Sequence, residues 1–232
     1  MTNLGGFMRS RMPLTALFLA LAAVPAEAQK PTAAVYITDE DVKVVNAQPG
    51  TDRQIRVVDI GNEHFAVGIV HRGASVPAAA RGAAAPAGSG RGGAAATTPA
   101  RVPCGDEMAT LPADATPGGI YHDSQTEGYY IVSGGGTLVT GGRIVNGNKS
   151  GPESAVTKEL NGPSCSGAIE GNIVRRVVKT GDIIIIPTGV GHGWSQITDH
   201  VTYLSVRPDP DRVLPAGYVY PLLLKNQPTP AK

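Results

Sequence analysis

Two histidines and one glutamate stand at points where the chain is expected to turn. His122 and Glu127 flank a short polar turn, Asp123 to Thr126, and adjacent antiparallel strands would bring their side chains close together on one face. His192 follows an apolar strand and a Pro-x-Gly turn that aims it inward. Two imidazoles and one carboxylate form a set that suits Fe(II), Mn(II), Ni(II) or Zn(II). Three protein ligands leave open positions for water, a substrate or dioxygen.

The spacing around these residues follows two patterns. Gly181 to His192 has the form G-x5-P-x-G-x2-H, and Glu127 to Gly134 has the form E-x6-G with a histidine five residues earlier. The pair resembles the cupin superfamily, whose motifs are G-x5-H-x-H-x3–4-E-x6-G and G-x5-P-x-G-x2-H-x3-N. The resemblance covers roughly residues 117–207 and implies a small antiparallel barrel.

This resemblance also implies roles for particular residues. In cupins the positions of His122, Glu127 and His192 are metal ligands. The sequence departs from the pattern at Ile120, where the family has its first histidine, so one of the usual four ligands is missing. Asp114 replaces the opening glycine of the first motif, and Gln196 replaces the final asparagine of the second.

Residues that share strand parity with the three candidate ligands are predicted to line a substrate pocket. Tyr129 has the parity of Glu127, and Trp194 and Gln196 have that of His192. Core packing is the alternative for Tyr129 and Trp194. His71 ends the face of Phe65, Val67 and Ile69, which is expected to point inward, and it either replaces the missing imidazole or is a partly buried structural histidine. No separate acid–base residue is identified, so the catalytic residues stay unknown.

The elements that must position these residues are mostly short strands. Thr38 and Asp41 resemble a capping box that opens a short helix through about Ala47. The strands are expected at 55–60, 65–71, 120–122, 127–132, 135–140, 173–179, 183–187, 193–197 and 201–207, with a hairpin turn at 61–62 and a loop at 147–171. Ile183 to Ile186 reads as a strand that is buried on both faces. Strands at this spacing without helices between them predict an all-β antiparallel barrel or jelly roll with a short N-terminal helix.

Composition divides the chain into five parts. Residues 1–28 have a basic start, an apolar run of about twelve residues and an Ala26-Glu27-Ala28 cleavage site, the pattern of a signal peptide. Residues 29–72 hold the helix and the first strands. Residues 73–101 contain 12 Ala, 6 Gly and 3 Pro, which predicts a mobile insert. Residues 102–225 form the barrel core, and 226–232 form a disordered tail.

The predicted export determines how the two cysteines are interpreted. In a periplasmic or secreted protein Cys104 and Cys165 are expected to form a disulfide, with two free thiols as the alternative. Their spacing contains no C-x-x-C, so zinc-ribbon and thioredoxin chemistry are unsupported.

Overall composition excludes several classes of protein. Gly and Pro supply 30 and 19 residues, about a fifth of the chain, which a long helical bundle would not tolerate. The formal net charge is +1 without a lysine-rich run, so a nucleic-acid partner is not expected. No stretch after the signal segment is long and apolar enough for a membrane span. A small-molecule ligand or substrate is the expected partner.

Three functions stay open at this level. One is an exported metal-dependent enzyme on a small organic substrate, since cupins include dioxygenases, decarboxylases, isomerases and lyases. Another is a non-catalytic module that binds a sugar or other metabolite, which the depleted ligand set at Ile120 favours. The third is a secreted structural protein with a vestigial barrel. The resemblance also leaves a homodimer open, through strand exchange or sheet packing.

Overall fold

The fold was established from a computed structural model, which describes residues 30–75 and 102–226. The predicted signal segment, most of the predicted insert and most of the predicted tail lie outside these ranges, so those three predictions stay predictions.

One short α-helix, α1 (Asp39–Asn46), precedes the strands. The capping box is present: the Asp41 amide donates to Thr38 Oγ1 at 3.1 Å, and the Thr38 amide donates to Asp41 Oδ2 at 3.0 Å. The helix is therefore fixed by local sequence, as predicted. Its buried residue, Val45, packs on Ile55 and Ile69 of the sheet below it.

Within the described ranges, eight antiparallel strands make up the rest of the regular structure, together with a π-helical turn at Val156–Leu160 and a 3-10 turn at Leu223–Asn226. The strands are β1 (Asp52–Asp59), β2 (His64–Ser75), β3 (Pro103–Cys104), β4 (Thr116–His122), β5 (Glu127–Lys149), β6 (Ser164–Lys179), β7 (Ile183–Ile186) and β8 (His192–Asp209). No helix of the described ranges is long and apolar enough to cross a membrane.

The two longest strands, β5 and β8, close the barrel. The strand order is β1-β2-β8-β4-β6-β5-β3, with β7 on β5, and β5 also pairs with β8. The ring β8–β4–β6–β5 therefore returns to its starting strand. The predicted all-β antiparallel fold with a short N-terminal helix is confirmed, and so is the β1–β2 hairpin, in which Asp59 faces His64.

Several local expectations are corrected by the strand bounds. The segment 147–171 is not a continuous loop, because β5 runs to Lys149 and β6 begins at Ser164. β2 continues to Ser75, three residues into the segment that composition assigned to the insert. The apolar run of β7 is buried on one face only, since Ile183 and Ile185 are each 72% exposed. Apolar sequence alone could not reveal this, because burial depends on what packs over the strand.

The barrel interior is an aromatic and aliphatic core. Its buried members include Val70, Ile131 and Tyr203, with Trp194 packed against them. Val70 and Tyr203 are register partners on β2 and β8, so the interior face of β2 is the one that carries Val70. The opposite face, which includes Ile69, lies under α1. The expectation that the face of Phe65, Val67 and Ile69 points into the barrel is therefore wrong.

The predicted disulfide between Cys104 and Cys165 is confirmed. The bond ties β3 to β6, with the two Cα atoms 6.0 Å apart. It covers one face of the sheet, where Cys165 packs with Val139 and Ile169. Such a bond points to an oxidising environment.

Candidate metal centre

The three predicted ligands stand at strand ends that meet in space. His122 is the last residue of β4, Glu127 is the first of β5 and His192 is the first of β8. The strands β4 and β5 do not pair with each other, contrary to the sequence-based expectation; β4 pairs with β6 and β8. His122 and Glu127 therefore meet across the barrel interior.

The Pro-x-Gly turn explains how His192 reaches the same place. The Gly189 amide and the Thr188 hydroxyl both donate to the carbonyl oxygen of His122, at 2.9 and 3.2 Å. Gly189 has φ +74°, a left-handed conformation that favours glycine. The turn before β8 is thus bonded to the end of β4, which sets the two imidazoles side by side with ring centroids 5.2 Å apart.

One carboxylate oxygen lies between the two imidazoles. Glu127 Oε2 is 3.2 Å from His122 Nε2 and 3.1 Å from His192 Nε2. The three ligand atoms lie within 4.8 Å of one another, and the side chains are only 3–5% exposed. Separations near 3 Å are those of ligand atoms that share one metal at about 2.1 Å.

Hydrogen bonds on the far side of each ring set the tautomers. His192 Nδ1 donates to the Val190 carbonyl at 3.0 Å. His122 Nδ1 lies 2.8 Å from Ser164 Oγ, and that hydroxyl already donates to the Gly162 carbonyl, so it accepts from the ring. In a neutral ring whose Nδ1 carries the proton, Nε2 offers a lone pair. Two imidazole lone pairs therefore point toward a carboxylate oxygen, an arrangement that a cation would satisfy.

The other oxygen of Glu127 is occupied by donors. Asn161 Nδ2 and Ser205 Oγ each donate to Oε1 at 2.8 Å, and Arg207 Nε donates at 3.0 Å. Arg207 is fully buried, and its Nη2 pairs with Asp52 Oδ2 at 2.5 Å. The carboxylate thus has one oxygen held by the protein and one facing the histidines.

Neighbouring charges and burial shift the pKa values of the site residues in opposite directions. Burial raises the pKa of Glu127, but its close contacts with His122 and His192 and the charge of Arg207 outweigh burial and hold that pKa well below its usual range. Burial also lowers the pKa of His122 more than Glu127 raises it, which favours the neutral, ligand-competent imidazole. The pKa of Arg207 is raised, since Asp52 and Glu127 outweigh its burial.

Tyr129 contacts the oxygen that faces the imidazoles. Its hydroxyl donates to Glu127 Oε2 at 2.7 Å. Burial, together with the neighbouring charge of Glu127, raises the pKa of Tyr129 well above its usual value, so the phenol keeps its proton. Its ring lies 4.3 Å from that of Tyr203, centroid to centroid, and Trp194 lies 5.8 Å from Tyr203. These three rings contact one another in the buried core beside the ligands.

Gln196, the third residue predicted to line a substrate pocket, does not pack with these rings. Thr137 of β5 pairs with Gln196 of β8, and the next residue, Leu138, pairs with Trp194. Ser195 therefore has no partner on β5 and forms a bulge. Such a bulge reverses the alternation of side chains along a strand. Ile197 consequently enters the buried core while Gln196 is exposed.

Ile120 lies next to the candidate ligands. It is the register partner of His192 on the neighbouring strand, and paired residues share one face of a sheet. It also has the parity of His122, two residues further along β4. An isoleucine thus stands where the family pattern has a further imidazole.

His71 is remote from this cluster. It is exposed, its Nδ1 lies 2.8 Å from Thr202 Oγ1, and its ring stacks on His200 at 5.8 Å. Its placement agrees with a structural role rather than with replacement of the missing ligand. His200 in turn is hydrogen-bonded to both Asp199 and Ser133.

Four residues of the site were not found by sequence reasoning: Asn161, Ser164, Ser205 and Arg207. For two of them a signal existed, since Ser205 and Arg207 alternate on a predicted strand whose earlier inward residues are apolar. Polar residues at inward positions indicate a buried polar end of a barrel. Asn161 and Ser164 carry no such signal, because they lie in a segment that reads as a loop.

Comparison with known proteins adds little to this geometry. No family model matches the chain, and no curated protein matches its sequence. Among solved structures, two of oxalate oxidase in complex with glycolate share 12% identity and a TM-score of 0.30, covering 71% of this chain and 54% of their own. The chain thus spans about half the length of these oxalate oxidase chains. Peruvianin-I, a cysteine peptidase from Thevetia peruviana latex, shares 12% identity and a TM-score of 0.30 over 85% of this chain and 91% of its own. At this level of likeness neither match assigns an activity.

Proposed function

We propose that this protein is an exported barrel of the cupin kind that holds a divalent transition metal through His122, Glu127 and His192. The observation that carries the proposal is the convergence of two imidazole Nε2 atoms on one carboxylate oxygen inside the barrel. Nitrogen and oxygen donors in this ratio suit Fe, Mn, Ni or Zn. The hydrogen bonds at each Nδ1 support it further, since metal-binding histidines commonly donate their second N–H.

The proposed activity is that of a metal-dependent enzyme on a small organic substrate. A bound metal would supply Lewis-acid polarisation of a substrate oxygen, or activation of dioxygen. The Tyr129 hydroxyl donates to Glu127 Oε2, and Tyr203 and Trp194 pack beside it. We assign Tyr129 the role of holding this carboxylate oxygen in place, and the catalytic acid and base stay unassigned.

A non-catalytic binding module is the second candidate, and the position of Ile120 favours it. An apolar side chain opposite His192 removes one ligand and gives a metabolite an apolar contact. Turnover of small oxygen-containing substrates with and without metal separates the two. Metal-dependent turnover supports the enzyme, whereas metal-dependent ligand binding without turnover supports the module.

We also propose export to the periplasm or the exterior, supported by the charge and apolar pattern of residues 1–28 and by the disulfide. N-terminal sequencing of exported protein should begin at or near Gln29. A homodimer stays a proposal as well, and the molar mass in solution tests it.

Metal content is the experiment that tests the proposed site. Protein purified from the exporting compartment should carry up to one transition metal per chain, and His192→Ala should lose it because two ligands remain. His71→Ala is the matched control, since His71 lies outside the cluster. Equal metal binding by wild type and His192→Ala would refute the assignment.

A further inference from the structure

The donors around Glu127 Oε1 do more than neutralise a buried charge. An ionised carboxylate has about four lone-pair positions on its two oxygens. Oε1 receives three donors, from Asn161, Ser205 and Arg207, so its capacity is filled. Among the residues that the structure describes, the donor to Oε2 is the hydroxyl of Tyr129, and this oxygen faces the two imidazoles.

These donors are themselves held in place, which prevents the carboxylate from rotating. The Arg207 guanidinium bonds Asp52 Oδ2 at 2.5 Å, and its Nη1 bonds Gln54 Oε1 and the Leu160 carbonyl, each at 3.3 Å. Arg207 Nε also donates to Ser205 Oγ at 2.9 Å. Asn161 is buried at the end of the π-helical turn, where its backbone N–H donates to the Val156 carbonyl at 2.8 Å.

We infer that Asn161, Ser205 and Arg207 are positioning residues that occupy Oε1. Glu127 can then offer a metal one oxygen only, and the centre therefore discriminates against Ca²⁺. The inference rests on the proposed metal site. Ca²⁺ takes six to eight oxygen ligands and commonly binds a carboxylate through both oxygens. A carboxylate confined to one oxygen beside two imidazoles instead suits a transition metal with few ligands.

The test uses Co²⁺ as the probe, with Ca²⁺ as competitor, on the full exported chain. Asn161→Ala and Ser205→Ala each remove one donor and leave the buried Arg207 in place. Ser205→Thr keeps the hydroxyl and should restore wild-type behaviour. Ser195→Ala is the matched control on the same strand, because Ser195 Oγ donates to the Thr137 carbonyl at 3.4 Å and does not contact Glu127.

We expect each alanine variant to bind Co²⁺ about 10- to 100-fold more weakly, the usual effect of removing a group that orients a metal ligand. Combining Asn161→Ala with Ser205→Ala leaves Arg207 Nε as the remaining one of the three donors, so one lone pair of Oε1 becomes free. In this double variant the visible absorption of bound Co²⁺, which reports its coordination number, should change, and Ca²⁺ should compete better. A variant that only loosened the fold would lower thermal stability without altering the spectrum of the bound ion.

The outcomes separate the two proposals. If wild type binds Co²⁺ and the alanine variants, single and double, keep its affinity, spectrum and resistance to Ca²⁺, the positioning role is wrong and the metal site stands. If wild type binds no Co²⁺, the proposed function fails and this inference fails with it. An altered spectrum in the double variant, with wild-type spectra in Ser205→Thr and Ser195→Ala, supports the inference.

Discussion

Replacing Arg207 with Met should destabilise the metal-free protein strongly. The Arg207 side chain is 1% exposed and is the cation between two carboxylates, Asp52 and Glu127. Met fills much of the same volume but leaves the Glu127 carboxylate, 3% exposed, without its cationic partner. The loss therefore comes mainly from uncompensated buried charge rather than from a cavity.

The expected magnitude follows from this burial. Breaking a buried ion pair by removing one partner costs about 3–5 kcal/mol. In a chain of this size about 1 kcal/mol lowers Tm by about 2–4 °C, so a fall of about 6–20 °C is expected. Urea unfolding in the presence of a chelator measures the free energy directly, because bound metal would otherwise stabilise the folded state.

Arg143→Met is the matched control. Arg143 also pairs with two carboxylates, those of Asp106 and Glu170, but its side chain is 59% exposed. Asp106 is also 60% exposed, whereas Glu170 is 10% exposed. Because water reaches the guanidinium of Arg143, this variant should lose much less free energy of unfolding than Arg207→Met. The two substitutions share their chemistry and differ in burial.

Glu127→Gln and the pH dependence of stability show whether the unpaired charge of Glu127 causes the loss. Adding Glu127→Gln to Arg207→Met removes the unpaired charge and should recover part of the lost stability. Arg207 helps to hold the pKa of Glu127 below its usual range, so its removal raises the folded-state pKa of Glu127. At neutral pH the full difference in the free energy of unfolding between wild type and Arg207→Met should be present. This difference should decrease as pH falls through the raised pKa of Glu127 in the folded variant.

Two results would contradict this prediction: a loss of stability in Arg207→Met as small as that in Arg143→Met, or no recovery on adding Glu127→Gln. Either result would show that the variant's buried network carries little uncompensated charge.

Three further predictions concern separate parts of the fold. Replacing Cys104 and Cys165 by Ala should cost about 4 kcal/mol in urea unfolding on the chain-entropy model, because the bond spans 61 positions; unchanged unfolding would contradict this. Ile120→His should bind Co²⁺ more tightly than wild type by titration, since the new imidazole would stand opposite His192, and equal or weaker binding would count against the placement. Gly134→Ala should lower Tm by at least the equivalent of about 1–3 kcal/mol, since Gly134 has φ +71° and a Cβ would lie 2.0 Å from a backbone oxygen; an unchanged Tm would show that the neighbouring strand yields.

The sequence by itself was sufficient for the features that depend on local spacing. The capping box of α1 and the hairpin between β1 and β2 follow from residues within a few positions of one another. The Pro-x-Gly turn before His192 belongs to the same class, because Gly189 is needed for its left-handed backbone. The fold class followed as well, since many short strands without intervening helices leave few alternatives.

The long-range contacts were decided by the tertiary structure. His122 and Glu127 were expected on paired strands, but β4 pairs with β6 and β8, and the two side chains meet because the barrel closes. Strand pairing between distant segments has no local signature, because any two strands of similar length and pattern can pair. The same limit explains the exposed face of Ile183 and Ile185.

Glu127 shows most clearly which features the sequence predicts and which depend on the tertiary structure. Its place in the E-x6-G pattern was evident from the chain, whereas its three donors come from Asn161, Ser205 and Arg207, which are 34, 78 and 80 positions away. A bulge at Ser195 likewise moved Gln196 outward, against its parity. Spacing along the chain determined which side chains could act as ligands, and barrel closure determined what surrounds them, because burial and hydrogen bonding depend on segments that are distant in sequence.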